Sequence, residues 1–104
     1  MSTISYKDTI LNVTDADMSQ GSAVWYPIMG ADKVIFFFTI TGTLTIKVDL
    51  DLHGDGTQIV EIASITATDQ KVLDDPVGKI RAYTTGVGNG ESAVLHIRKV
   101  YNKN

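Results

Sequence analysis

Between Leu44 and Leu52 apolar and polar residues alternate without a break, with Leu44, Ile46, Val48, Leu50 and Leu52 in one phase and Thr45, Lys47, Asp49 and Asp51 in the other. A period of two predicts a half-buried strand. QIVEIASI (58–65) is the natural partner, which leaves HGDG (53–56) in the position of a hairpin turn where Gly54 and Gly56 can take positive φ. Upstream, KVIFFFTIT (33–41) is an almost continuous apolar run rich in β-branched and aromatic residues, the pattern of a central strand covered on both sides. Thr41-Gly42-Thr43 supplies the turn between the two.

The flanking segments are more broken. AVWYPIM (23–29) reads as an edge strand, because Pro27 cannot donate to a ladder. Before it, the chain from Ser2 to Gly21 is polar apart from a cluster at Ile10, Leu11 and Val13, and includes the small, polar run TDADMSQGS. Such a segment is patterned too weakly for a strand and is expected as an arm, covering a sheet edge on its own subunit or pairing with a neighbour. Thr66 to Pro76 is polar and predicts no element, GKIRAYTTG a short strand, VGNGE a turn, and ESAVLHIRKVY a last strand that frays after Tyr101. The whole predicts an all-β fold: an antiparallel β-sandwich of about seven to eight short strands, with an arm at 1–21 and a sandwich domain at 22–104.

Composition sharpens this picture. Val, Ile and Thr account for 33 of 104 residues, an enrichment that favours pleated strands over helices. The length suits one domain with a modest core. There is no cysteine, so disulfides, thiolate metal sites and cysteine nucleophiles are excluded, in keeping with a reducing compartment. The N-terminal residues lack the basic and apolar regions of a signal peptide, and no apolar run approaches the roughly 20 residues that span a bilayer, so a soluble chain with no membrane partner is expected. The net charge of −3 divides unevenly: 1–78 carry four Lys against ten Asp and one Glu, or −7, while 79–104 carry five Lys and Arg against Glu91, or +4. The split allows a head-to-tail electrostatic match between subunits or an acidic partner, and neither half is basic enough for nucleic acid.

DLDLHGDG (49–56) has the look of a calcium loop, but the match fails where ligands are needed. Counting from Asp49, position 5 is His53 and position 12 is Val60, with Glu61 one residue late and no helical pattern on either side. On a strand, Asp49 and Asp51 would stand about 7 Å apart, pointing outward in parallel and not converging on an ion. They are therefore expected to solvate a sheet face, with a weak surface ion site shared with Asp55 as the remaining alternative. His53 and His96 have no partner at metal or triad spacing, no Ser stands in a nucleophile elbow, and only two Glu are present. No cofactor, metal ligand set or catalytic group is assigned, and an enzyme is not expected.

What remains are residues suited to protein contact. Aromatic side chains near edges are enriched at interfaces, and Trp25 and Tyr26 adjoin both Pro27 and the arm. With Ile10, Leu11 and Val13 from the arm, they form the candidate interface set.

The stretch GADKVIFFFTITGTLTIKVDL, the GDG turn and DDPVGKIRAYTTGVGNGESAVLHI together resemble small structural proteins of tailed bacteriophage particles, over roughly residues 22 to 100. That resemblance implies a virion β-sandwich, most typically a capsid decoration or cement protein that binds the major capsid protein, often as a homo-oligomer with an N-terminal arm reaching onto neighbours. It implies synthesis in the host cytoplasm and a final location in the virion. A neck, tail or fibre-base subunit fits the same resemblance. From another class, a carbohydrate- or ligand-binding sandwich module would use Trp25, Tyr26 and the Asp49, Asp51, Asp55 group as its binding patch.

Overall fold

The computed structural model describes residues 2–14, 25–85 and 90–103, with side chains at all of these except 2, 3, 13, 14 and 103. Eight strands follow in order: β1 (Ser2–Thr14), β2 (Tyr26–Pro27), β3 (Lys33–Thr41), β4 (Thr45–Asp51), β5 (Ile59–Ile65), β6 (Asp69–Asp74), β7 (Lys79–Thr85) and β8 (Ser92–Lys103). They form two antiparallel four-stranded sheets, sheet A with order β1-β8-β3-β6 and sheet B with order β2-β7-β4-β5. The all-β sandwich expected from the periodicity is the observed fold. Among the described residues no helix is long and apolar enough to cross a membrane.

Directly opposite residues of an antiparallel pair share a face, so the register assigns every side chain to core or exterior. Val34, Phe36 and Phe38 of β3 and Leu95 and Ile97 of β8 point inward from sheet A; Ile46, Val48 and Leu50 of β4 and Ile80 and Ala82 of β7 meet them from sheet B, and Leu44, just before β4, is buried with them. Each fully buried Leu, Ile, Val or Phe contributes about 1.5–3 kcal/mol relative to exposure, and with no disulfide this apolar layer is the chief favourable term.

Three elements differ from the pattern-based expectation. Ser2–Thr14, expected as a weakly patterned arm, is the longest strand, and it covers the edge of its own sheet by pairing with β8. A bulge explains the missing pattern: Ile4, Tyr6 and Asp8 face inward before it, Leu11 after it, and Ile10 is the extra residue that switches the phase. The rest of the expected arm (15–21), with most of the TDADMSQGS run, lies outside the described residues. β6 was invisible because its only extended apolar pair, Val72-Leu73, sits among charges on an edge held to β3 by backbone bonds. β3 is central but is not covered on both sides: Val34, Phe36 and Phe38 are buried while Ile35 and Phe37 are half-buried on the outer face of sheet A. Of the expected VGNGE turn, 87–89 lie outside the described residues.

Candidate interaction surfaces

DLDLHGDG turns the chain, and it does so with Asp51. The β4–β5 connection spans residues 52–58, longer than the four-residue turn expected, and it folds back over the outer face of sheet B. The Gly54 N–H donates to Asp51 Oδ1 at 3.1 Å and the Gly56 N–H to Asp51 Oδ2 at 2.8 Å, which leaves Asp51 only 1% exposed. The Asp51 carbonyl abuts Gly78, whose φ is +70° and where an added Cβ would lie 1.8 Å from that oxygen. Gly78 in turn accepts the Ile28 N–H at 3.1 Å and so fixes the exit of β2.

The other two carboxylates of the acidic group are also engaged within the chain. Arg81 Nε and Nη2 both sit 3.2 Å from Asp49 Oδ2, and Asp49 is buried on the outer face of sheet B where solvation was expected. Asp55 accepts the Thr57 N–H at 3.0 Å and the Thr57 hydroxyl at 2.6 Å, and these bonds hold its carboxyl below the usual aspartate value. Among the described residues no group of three or more acidic or His side chains is arranged to hold a metal ion.

The expected interface set does not lie on one surface. Leu11 is 4% exposed and opposes Leu95, so it is a core residue of its own chain and not a surface contact. Ile10, the bulge residue, is half-buried against that core, and the Val13 side chain lies outside the described residues. Trp25 and Tyr26, being consecutive in extended chain, point to opposite faces. Tyr26 opposes Ile80 and turns toward sheet A, where its hydroxyl donates to Asp8 and Lys99 Nζ lies 4.8 Å from its ring centre. Partial burial, reinforced by the Asp8 bond, raises the Tyr26 pKa. Trp25 lies against the outer face of sheet B, with the Arg81 guanidinium 4.7 Å and Lys79 Nζ 5.8 Å from its ring centre.

All four sheet edges carry features that resist further strand pairing. β1 is bulged at Ile10 and β5 at Ile62. β2 has only two residues, one of them Pro27. On β6, Asp69 and Lys71 oppose the core-facing Phe38 and Phe36, which puts charges on the inward side of an edge strand.

The outer faces of the two sheets are unlike each other. Both ion pairs among the described residues, Arg81–Asp49 and Lys47–Glu61 at 3.7 Å, lie on sheet B, whose outer charges are thus largely neutralised within the chain. On sheet A, Lys7 of β1 stands directly opposite Arg98 of β8, and Arg98 opposes Ile35 of β3, which opposes Val72 of β6. The next row is Thr9, His96 and Phe37, with Thr9 Oγ1 2.8 Å from His96 Nδ1. Arg98 Nη1 donates to Ser5 Oγ at 2.9 Å and has no carboxylate partner among the described residues, and Val72 is 53% exposed. Reasoning from sequence missed this surface. Ile35 and Phe37 read as core in a continuous apolar run, and Lys7 and Arg98 meet only through the register of first and last strands. The one signal available was the excess of basic residues in the last quarter of the chain.

No family model, curated relative or solved structure matches the chain.

Proposed function

We propose that this chain is a non-enzymatic structural subunit of a tailed-phage virion, a capsid decoration or stabilisation protein that docks on other virion subunits, the major capsid protein first among them. The observation that carries the reading is the outer face of sheet A, where half-buried Ile35 and Phe37 and exposed Val72 lie beside two cations, Lys7 and Arg98, that have no carboxylate partner among the described residues. An apolar centre flanked by uncompensated charge is the anatomy of a surface that associates. The mechanism is mechanical: a rigid sandwich lays one face on a neighbour, and modest contacts add up across many copies in one lattice. The route differs from the arm-and-edge pairing expected from sequence, because Ser2–Thr14 is built into sheet A and the edges are guarded.

The test is gradient purification of tailed-phage particles from cultures that make this chain, followed by mass spectrometry and immunogold labelling. Many copies travelling with the particles and labelling the shell support the reading. A chain that stays with the soluble protein overturns it, and label confined to neck, tail or fibre base overturns the decoration role.

A further inference from the structure

Resting on that assembly reading, we infer that the outer face of sheet A docks the opposite-signed loop end of a second copy, giving a head-to-tail contact. The face is centred on the Lys7–Arg98 pair. Like charges directly opposite on a sheet disfavour each other, and the nearest acid in this register grid is Asp74, at the corner of the face opposite Lys33. An acidic partner relieves that arrangement, and Ile35, Phe37 and Val72 give the partner apolar surface to cover.

The chain itself carries the complementary surface. At one end of the sandwich the segments 28–32, 52–58 and 75–78 contain Asp32, Asp55 and Asp75, all exposed, and no Lys or Arg, and they lie beside the start of β1 and the end of β8, where Asp32 accepts the Asn102 N–H. The apolar side chains there are uncovered, with Met29 67% and Val77 48% exposed, and Ile59 and Val60 at the adjoining start of β5 43% and 37% exposed. The other end is built from Thr41-Gly42-Thr43 and the Thr-rich 66–68 connection and has no exposed large apolar side chain among the described residues.

Sign decides the geometry. Face against face would set Lys7 and Arg98 against their own copies, and end against end would do the same to Asp32, Asp55 and Asp75. Only face against end brings opposite charges together around apolar centres. The contact is heterologous, so repetition gives a closed ring or an open filament and not a two-fold dimer.

The test uses the full chain in analytical ultracentrifugation at about 20 mM and about 500 mM salt, where the Debye length falls from about 20 Å to about 4 Å. A protein concentration of about 0.5 mM makes a contact of near-millimolar strength visible. Wild type is expected to exceed the single-chain mass of 11.3 kDa at low salt and to return to it at high salt. Lys7→Glu places an opposite charge beside Arg98, so it should reduce the low-salt species to single chains while leaving the melting temperature unchanged or higher. A merely structural Lys7 would not lose the low-salt species without a fall in melting temperature. Gln58→Lys/Val77→Lys, at exposed positions of the loop end, should also be single chains. Mixed one to one, the two variants should form pairs, since each supplies the surface that the other has lost. Single wild-type chains at low salt overturn the inference, as does an oligomer whose mass ignores both salt and variants. The second result leaves the assembly reading standing; that reading falls separately, on particles that lack the chain.

Discussion

Asp51→Asn tests what the DLDLHGDG segment does. The substitution keeps the shape of the side chain, removes its charge and turns one acceptor oxygen into an NH2 donor. In the wild type each carboxylate oxygen takes one loop amide, from Gly54 at 3.1 Å and from Gly56 at 2.8 Å. A hydrogen bond to a charged group contributes about 1.5–3 kcal/mol. Asn loses one such bond outright to donor–donor opposition and keeps the other as a neutral bond. Recovery is limited on the Asp51 side, which is only 1% exposed, and is partial on the loop side, where residues 53–58 are exposed and water can reach the freed amide. The expected loss is about 2–3 kcal/mol, or about 10–15 °C in melting temperature for a domain of this size. Urea unfolding followed by circular dichroism, with and without calcium and EDTA, measures it. A loss below about 0.5 kcal/mol would show that the carboxylate does not hold the loop. A wild-type melting temperature that rises with calcium and falls with EDTA would instead return the segment to the role of an ion site.

Gly78→Ala should destabilise by about 3 kcal/mol, combining positive-φ strain with the 1.8 Å approach to the Asp51 carbonyl, and denaturant midpoints measure it. Arg81→Met removes the partner of the buried Asp49 and the cover of Trp25. It should cost about 1–2 kcal/mol, moderated by the exposure of Arg81, and shift tryptophan emission to the red, while Arg81→Met/Asp49→Leu should recover most of the loss. The raised pKa of Tyr26 means that the folded state favours the neutral phenol. Its contribution is complete below the ordinary tyrosine value and is lost as pH rises through the higher folded value. Alkaline titration by phenolate absorbance should therefore show one tyrosine ionising late, and Tyr26→Phe should remove both that component and its share of the alkaline loss of stability.

Where a strand alternates regularly over a buried face, its periodicity was enough to locate it. β3, β4 and β7 fall where that patterning placed them, since their inward residues keep one phase against a continuous core, and β5 falls in place as the partner of β4 although its bulge at Ile62 switches its phase. β1 and β6 escaped for different physical reasons. The bulge at Ile10 moves the inward set of β1 from even to odd positions, so that no single period describes it. β6 is held by pairing to a strand already buried, a backbone interaction that leaves no trace in side-chain polarity. The surfaces were harder still to foresee. Asp51 looked like a solvated residue because strand parity put it outside, and nothing local announced that the loop would fold back and bury it. Lys7 and Arg98 are neighbours only because the first and last strands pair.

The edges and faces of this sandwich point to one mode of association. A sheet grows by strand addition only where an edge offers a regular run of free N–H and C=O groups. Here β1 and β5 are interrupted by bulges, β2 by its length and by Pro27, and β6 by Asp69 and Lys71 on its inward side. Four different devices reach the same result, so exposed β-structure does not by itself make the chain prone to unlimited edge pairing. Sheet B neutralises the charges of its outer face through Arg81–Asp49 and Lys47–Glu61 and turns Asp51 onto its own loop, which leaves that face, unlike the loop end beside it, little to offer a partner. Sheet A does neither, keeping Lys7 against Arg98 and leaving Ile35, Phe37 and Val72 partly uncovered. A chain whose edges are guarded and whose sheet A face keeps uncompensated charge beside apolar side chains can build an assembly by laying that face on a neighbour. Such a contact is governed by side-chain charge and apolar area, and so it responds to salt and to a single charge reversal in a way that backbone pairing would not.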